Sequence, residues 1–501
     1  MRELFTGFRW WENDETQSLL VEDGRVVARG AEVSSPGAPT RDLGGRTVAP
    51  AFVDAHCHIL STGLDLQRLH LGGCATREEV LERVRGRLDA VEAGEWLRAV
   101  HYDQTKFDDA QHLTRHDLDT LSESVPILLR HSNGHASIAN TAALRAAGVG
   151  AATVDPPGGE YVRDASGEPN GVLLEKAHEW VTAAAPRPSL DQMADAIVAA
   201  GERMRDLGIC CASDMQTGQR NLDEELQAYR LAAERGCPVR TRLYLDWHGV
   251  LGPKRLDPGR LNELVGAMDG DRCRVVGVKI FADGAIGSAT AAIYGRFLTQ
   301  PETGSPTAGQ LIYRPERLKQ MVLDADEAGW QVAIHSIGDH STDLVMDAFE
   351  STGQPSRHRI EHAMLLSDAQ IERLARLDLL CTMQPEFLLR FGHAYRKQLG
   401  EERAYRIKRF ASVMRAGVRL SFSSDRPIVP GDPKDGVRMA VCRPAGFDPA
   451  ENVDLATAIR AYTREGARAN GDVDLGGLEP GMRAEFQLLD LAELSPVGPR
   501  A

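Results

Sequence analysis

Cysteine is scarce in this chain: eight residues in 501, with neither a C-x-x-C pair nor a zinc-finger spacing. That excludes the dense disulfide framework of small secreted domains, so the thiols are expected to be reduced and mostly buried. Long apolar runs are missing too. No stretch approaches the roughly 18 apolar residues of a membrane span, and the opening MRELFTGFRWWENDETQS has no apolar core of a secretory signal. A cytoplasmic protein that makes no membrane contact is expected. Positive charge is in deficit: 58 Lys and Arg against 72 Asp and Glu leave a formal net charge of −14. Nucleic-acid binding, which needs clustered basic residues, is therefore not expected. The arginines between Arg396 and Arg409 are interleaved with Glu401 and Glu402 and read as a solvated helix face. Repeats of solenoid type and low-complexity tracts are also lacking.

What is present is an ordinary globular composition, 42% hydrophobic and 26% charged, long enough for two to four structural units at roughly 100–200 residues each. The segment from Leu19 to Val48 alternates short β-like runs with turns, and Asp23-Gly24 between two apolar runs is a hairpin cue. Near the other end, Pro480-Gly481 precedes an expected strand at Ala484–Leu489. These two terminal stretches are expected to join in one composite β-sandwich, residues 1–50 with 471–501.

Between them lie eight apolar, strand-like runs: APAFVDAHCHI, GICCASDM, RTRLYLDW, RVVGVKIFADG, WQVAIHSIG, HRIEHAM, LLCTMQP and RLSFSSDRP. Helical spacing of apolar residues separates several of them, at Leu190–Leu207, Glu316–Ala328, Ser341–Ser351 and Glu401–Ala416. The pattern predicts an α/β fold, a (β/α)8 TIM-like barrel over residues 51–65 and 187–470. The interval between the first and second runs is too long for one crossover. An inserted α/β subdomain at 66–186, near the active-site mouth, fills it, with a helix at Arg77–Ala93, an apolar run at Pro126–Arg130, and a loop or hairpin at DPPGGEYVRDASGEPNGV.

Residues two apart on a strand share a face, so His56 and His58 of DAHCH project together. Cys57 between them points the other way and is expected to pack. A lone His-x-His is a weak signal. However, His335 ends the fifth run, His362 the sixth and Asp425 the eighth, and active sites of such barrels gather at the carboxyl ends of the strands. In the fourth run Lys279 stands among apolar residues, where a charged amine is costly without a partner. It either pairs with Asp283 or is chemically altered. Glu361, next to His362, should face away by strict alternation.

This set of residues resembles the metal constellation of the amidohydrolase superfamily. Further stretches, among them GGRTVAPAFVDAHCH, GHASIANTAAL, GEPNGVLLE, VKIFADGAIGSATA, QVAIHSIGD, RIEHAMLL, MQPEF, FSSDRPI and LEPGMRAEFQLLD, are similar to its YtcJ-like branch, which includes N-substituted formamide deformylases. The resemblance covers nearly the whole chain. It implies two divalent cations, zinc by default with iron or manganese as alternatives, His56 and His58 on one and His335 and His362 on the other. It further implies a carbamylated Lys279 bridging them, and Asp425 binding the first ion while accepting a proton from the nucleophilic water. The implied activity is hydrolysis of a non-peptide amide-type C–N bond of a small molecule, such as an N-substituted formamide or N-acyl compound. Coordination would lower the pKa of water from about 15.7 to about 7, and Asp425 would pass its proton to the departing nitrogen.

Ala51, Asn133 and Arg426 depart from the branch's pattern, which bears on specificity rather than on metal binding. His135, Asn133 and Arg426 are the candidate substrate contacts, with Arg426 reaching a carboxylate at the rim or, alternatively, making a structural ion pair. Asp283 and Asp339 are expected to orient loops. Deamination of an amino-heterocycle on the same barrel and a non-catalytic scaffold remain alternatives. The expected partner is a small molecule, and a homodimer is compatible with the sequence.

Overall fold

The structure is a computed structural model and describes all residues except 133, 135, 157–158, 299–305 and 495–501. The chain divides into two compact units, one formed by Met1–Thr62 with Ile197 onward, the other by Gly63–Ala196.

In the first unit all eight expected barrel strands form: β1 (Phe52–Cys57), β2 (Ile209–Thr217), β3 (Arg240–Asp246), β4 (Cys273–Phe281), β5 (Gln331–Ser336), β6 (Arg359–His362), β7 (Leu380–Met383) and β8 (Arg419–Phe422). Each pairs in parallel with the next in chain order. Strands buried on both faces need near-continuous apolar sequence, which is why these runs were legible; all six residues of β1 are buried. The sheet is nearly closed. Beyond the end of β8, Ser424 N–H donates to the Asp54 carboxylate at 2.9 Å. Asp425 N–H then donates to the His56 carbonyl (2.7 Å) and His58 N–H to the Arg426 carbonyl (2.8 Å), joining the last strand's extension to the first.

Helices α1 (Leu190–Asp206), α2 (Pro315–Glu327) and α3 (Asp339–Glu350) occupy three of the expected helical spans. The fourth is broken: Glu401–Tyr405 and Phe410–Arg415 are separate helices. Lys408, fully buried between them, has φ 50°, a left-handed conformation that an α-helix does not admit.

The terminal stretches build one hydrogen-bonded, six-stranded sheet among the described residues. Strands Thr16–Glu22 and Arg25–Gly30 form the hairpin, with Asp23 (φ 48°) and Gly24 (φ 76°) supplying the two positive angles of a type I′ turn. A further strand, Arg2–Trp10, lies before the run-and-turn pattern that begins at Leu19 and pairs with Thr16–Glu22. The strand Phe486–Leu489 pairs antiparallel with Thr47–Pro50, uniting the two ends of the chain.

The second unit carries its own six-stranded sheet, in the order Gly159–Arg163, Pro169–Glu175, Ala136–Ala139, Ile127–His131, Leu97–Tyr102, Leu69–His70. Its two core clusters center on residues such as Ile127, Leu129 and Ile138, and Leu128, Leu173 and Val181. The expected hairpin is present as the antiparallel strands Gly159–Arg163 and Pro169–Glu175. The helix from Arg77 ends at Leu88, earlier than expected, and the chain turns at Gly94 (φ 88°).

All eight cysteines are free and seven are buried; Cys57 Sγ points to the Ser213 carbonyl at 3.2 Å on the neighbouring β2. No helix among the described residues is long and apolar enough to cross a membrane.

At the barrel's amino-terminal side, Asp472 receives Arg242 Nε at 2.8 Å and Arg274 at 2.9 Å, with Arg242 and Asp472 both buried. Asp472→Ala leaves the Arg242 guanidinium buried without a counter-charge. A loss of about 3–5 kcal/mol is expected, read as a lowered thermal unfolding midpoint.

Candidate metal centre

The last residues of β1 and the extension of β8 meet because of the closing hydrogen bonds above. His56 is fully buried, and His58, two residues on and on the same side, keeps 22% of its side chain exposed. Asp425 has φ 61°, and this turn brings its carboxylate to the two imidazoles. Its Oδ1 lies 3.1 Å from His58 Nε2 and 3.5 Å from His56 Nε2. One donor atom from each of the three residues falls within 4.8 Å of the others.

Two more imidazoles pack beside them. His335, from β5, and His362, from β6, have ring centroids 4.4 Å apart, and His362 lies 4.8 Å from His56. His335 Nε2 is 3.0 Å from the Gly284 carbonyl, and His362 Nδ1 is 2.9 Å from Gln384 Oε1, just beyond β7. The structure thus brings together all four expected histidines and Asp425.

Glu361 corrects the sequence reading. It does not face away: its Oε2 lies 2.6 Å from His56 Nδ1, and it is completely buried. Alternation fails because His362 (φ 75°) and Ala363 (φ 40°) are left-handed, so the chain twists at the strand end and Glu361 and His362 both address the site. Arg359, two residues before Glu361 and so on its face, is equally buried and ion-paired to it at 2.5 Å. An Arg-x-Glu pair in the short, fully buried strand Arg359–His362 was the signal for both.

Lys279 is buried, its Nζ 4.1 Å over the Phe281 ring and without a hydrogen-bond partner. Asp283 is not that partner. Its carboxylate is occupied by the N–H groups of Ala292, Ile337 and Gly338 and by the Ser341 hydroxyl, which fixes the loops after β4 and β5. Burial lowers the Lys279 amine to about 8, against the opposing pull of Glu361 and Asp425.

Burial, followed by the Lys279 charge, holds His56 well below the ordinary imidazole value and His335 at about 4. Burial and the neighbouring His335 do the same to His362. Neutral imidazole is the form that ligates metals. Burial would raise the Asp425 carboxyl, yet His56 and His58 together pull it below its usual value. Neutral imidazoles with an ionised carboxylate suit a divalent transition metal. A second observation fits the same group: the buried His56 Nε2, facing Asp425, makes no hydrogen bond.

Arg426 is placed in the interior, not at a rim. Its guanidinium is almost entirely buried, donating to the Gly431 carbonyl with Nε 3.9 Å from Asp54. Asn133 and His135 lie outside the described residues. Asp339 accepts from Tyr294 N–H at 2.8 Å and pairs with Arg403, as a loop-orienting residue would. Lys408, inside the span 401–416 whose spacing predicts a helix, is buried with Nζ 3.4 Å from Gln384 Oε1.

Comparison with known proteins agrees with this geometry. The amidohydrolase family profile matches residues 40–499. The chain is 29% identical to the putative amidohydrolase YtcJ of Bacillus subtilis, over 95% of this chain and 91% of that protein. It is 30% identical to the N-substituted formamide deformylase of Arthrobacter pascens, over 95% and 90%. Among solved structures, an uncharacterised metal-dependent hydrolase from Pyrococcus horikoshii OT3 superposes with a TM-score of 0.80 at 28% identity, covering 99% of this chain and 98% of that one. The chain belongs to the amidohydrolase family.

Proposed function

We propose that this protein is a metal-dependent hydrolase that cleaves an amide-type C–N bond of a small molecule, with an N-substituted formamide or related N-acyl compound as the substrate class. The observation that carries the reading is the convergence of His56, His58 and Asp425, their donor atoms within 4.8 Å, at the carboxyl ends of the barrel strands. The likeness to the Arthrobacter deformylase over 95% of the chain favours formamides among amide substrates.

His56, His58 and Asp425 would hold one divalent cation, zinc by default, and His335 and His362 a second, with Lys279 between them. Bound cations of this kind lower the pKa of water from about 15.7 toward 7 and polarise a carbonyl. Lys279 supports a carbamate bridge through its chemistry: addition to carbon dioxide needs a neutral amine, and a buried amine at about 8 supplies a substantial neutral fraction near neutral pH.

The proton work falls to Asp425. Held below the usual carboxyl value, it is ionised at neutral pH and able to take a proton from the attacking water. The same oxygen then delivers that proton to the departing nitrogen, since an amine leaves poorly as its anion. The hydrogen bond from Asp425 N–H to the His56 carbonyl keeps this carboxylate in place.

Three outcomes test the reading. Stripping divalent cations with a chelator should abolish hydrolysis in a panel of formamides, N-acyl amino acids, cyclic amides and aminopurines, and added zinc, iron or manganese should restore it. Asp425→Asn should cut turnover by about 10²–10⁴-fold, the range of a lost general acid–base, while elemental analysis still finds cation in the protein. Intact mass of the metal-loaded protein under non-denaturing conditions should carry a carboxyl adduct that Lys279→Met lacks; an unmodified amine removes the bridge.

A further inference from the structure

The barrel interior beneath the imidazoles holds a buried ion pair where apolar side chains would serve stability equally well or better. We infer that Glu361, oriented by Arg359, is a positioning residue that fixes the tautomer of His56 and makes the His56–His58–Asp425 corner the tighter of two cation positions. The inference rests on the metal reading above and goes beyond it in assigning a role to two residues outside the ligand set.

Ionised carboxylate oxygens only accept hydrogen bonds, so the 2.6 Å contact between Glu361 Oε2 and His56 Nδ1 places the imidazole hydrogen on Nδ1. In a neutral ring that leaves Nε2 with its lone pair. Nε2 is the atom that faces Asp425 and makes no hydrogen bond. The carboxylate cannot turn away, because Arg359 grips both its oxygens, Nε to Oε1 at 2.5 Å and a terminal nitrogen to Oε2 at 3.1 Å. Arg359 is held in turn by the Ala55 carbonyl and Thr382 hydroxyl at 2.8 Å, and by the Tyr244 hydroxyl at 3.1 Å.

The partners of the other two imidazoles at hydrogen-bond distance are neutral. His362 Nδ1 meets the Gln384 amide oxygen, and His335 Nε2 meets the Gly284 backbone carbonyl. A carboxylate partner makes an imidazole a more basic ligand than an amide or carbonyl does. Among the described residues, His56 alone of these three imidazoles has a carboxylate within hydrogen-bond distance of the ring nitrogen turned away from the site; Asp283 Oδ1 is 3.7 Å from His335 Nε2 and already accepts the Ile337 N–H, so affinity is graded across the site.

The test titrates zinc into chelator-stripped full-length protein in competition with a chromophoric chelator. Wild type should take up zinc in two steps. In Glu361→Gln the first step should weaken by about 10–100-fold, the usual effect of losing such a partner, while the second step stays as in wild type. An unchanged first step, or equal weakening of both, overturns the inference. A second measurement reads the wild-type ring itself: the ¹⁵N imidazole spectrum of the stripped protein, with the His56 signals assigned by their loss in His56→Asn. A ring protonated on Nδ1 is expected, and one protonated on Nε2 overturns the assignment. Wild type that takes up no divalent cation overturns the metal reading itself and this role with it.

Discussion

Two backbone hydrogen bonds hold the candidate site together, from Asp425 N–H to the His56 carbonyl and from His58 N–H to the Arg426 carbonyl. They tie the extension of the last barrel strand to the end of the first, across the seam where the sheet is otherwise only nearly closed. Residues some 370 positions apart in sequence thereby become neighbours. The left-handed turn at Asp425 then aims its carboxylate at the imidazoles. A bond between peptide groups is indifferent to side chains, so the seam holds the ligand geometry whatever occupies the pocket above it.

The interior of the barrel is the second constraint. A core is ordinarily apolar, yet this one contains Lys279, Arg359, Glu361 and, near the mouth, Lys408, all buried. Burial lowers the Lys279 and Lys408 amines, to about 8 and about 7, and the neighbouring carboxylates Glu361 and Asp425 oppose the shift at Lys279. Buried amines shifted in this way, beside buried carboxylates and imidazoles, mark the barrel interior as the candidate functional site. The chain's membership in the amidohydrolase family rests on a separate line, the match over residues 40–499.

The barrel strands were legible because parallel strands buried on both faces must be continuously apolar. The ligand residues were legible because they stand at the ends of those runs. Side-chain direction at the strand ends was not. Period-two alternation sends Glu361 outward, and it fails where His362 and Ala363 adopt positive φ, an angle that neither residue type announces. Helical spacing across 401–416 likewise gave no notice that Lys408 would be drawn into the interior and break the helix. The strand Arg2–Trp10 escaped notice for another reason: its burial follows no clean alternation, and a bulge between Phe5 and Phe8 disrupts its register. The pairing of Asp283 with Lys279 was reasonable by charge alone, but three backbone N–H groups and a hydroxyl take that carboxylate first.

The proposed chemistry depends on a cation held among His56, His58 and Asp425. An anomalous difference map from crystals grown with zinc, collected on both sides of the zinc absorption edge, answers this directly. A peak bounded by His56 Nε2, His58 Nε2 and an Asp425 oxygen, each at about 2.0–2.2 Å, is the predicted result. A map with no peak there, or with zinc bound only elsewhere on the molecule, would contradict it.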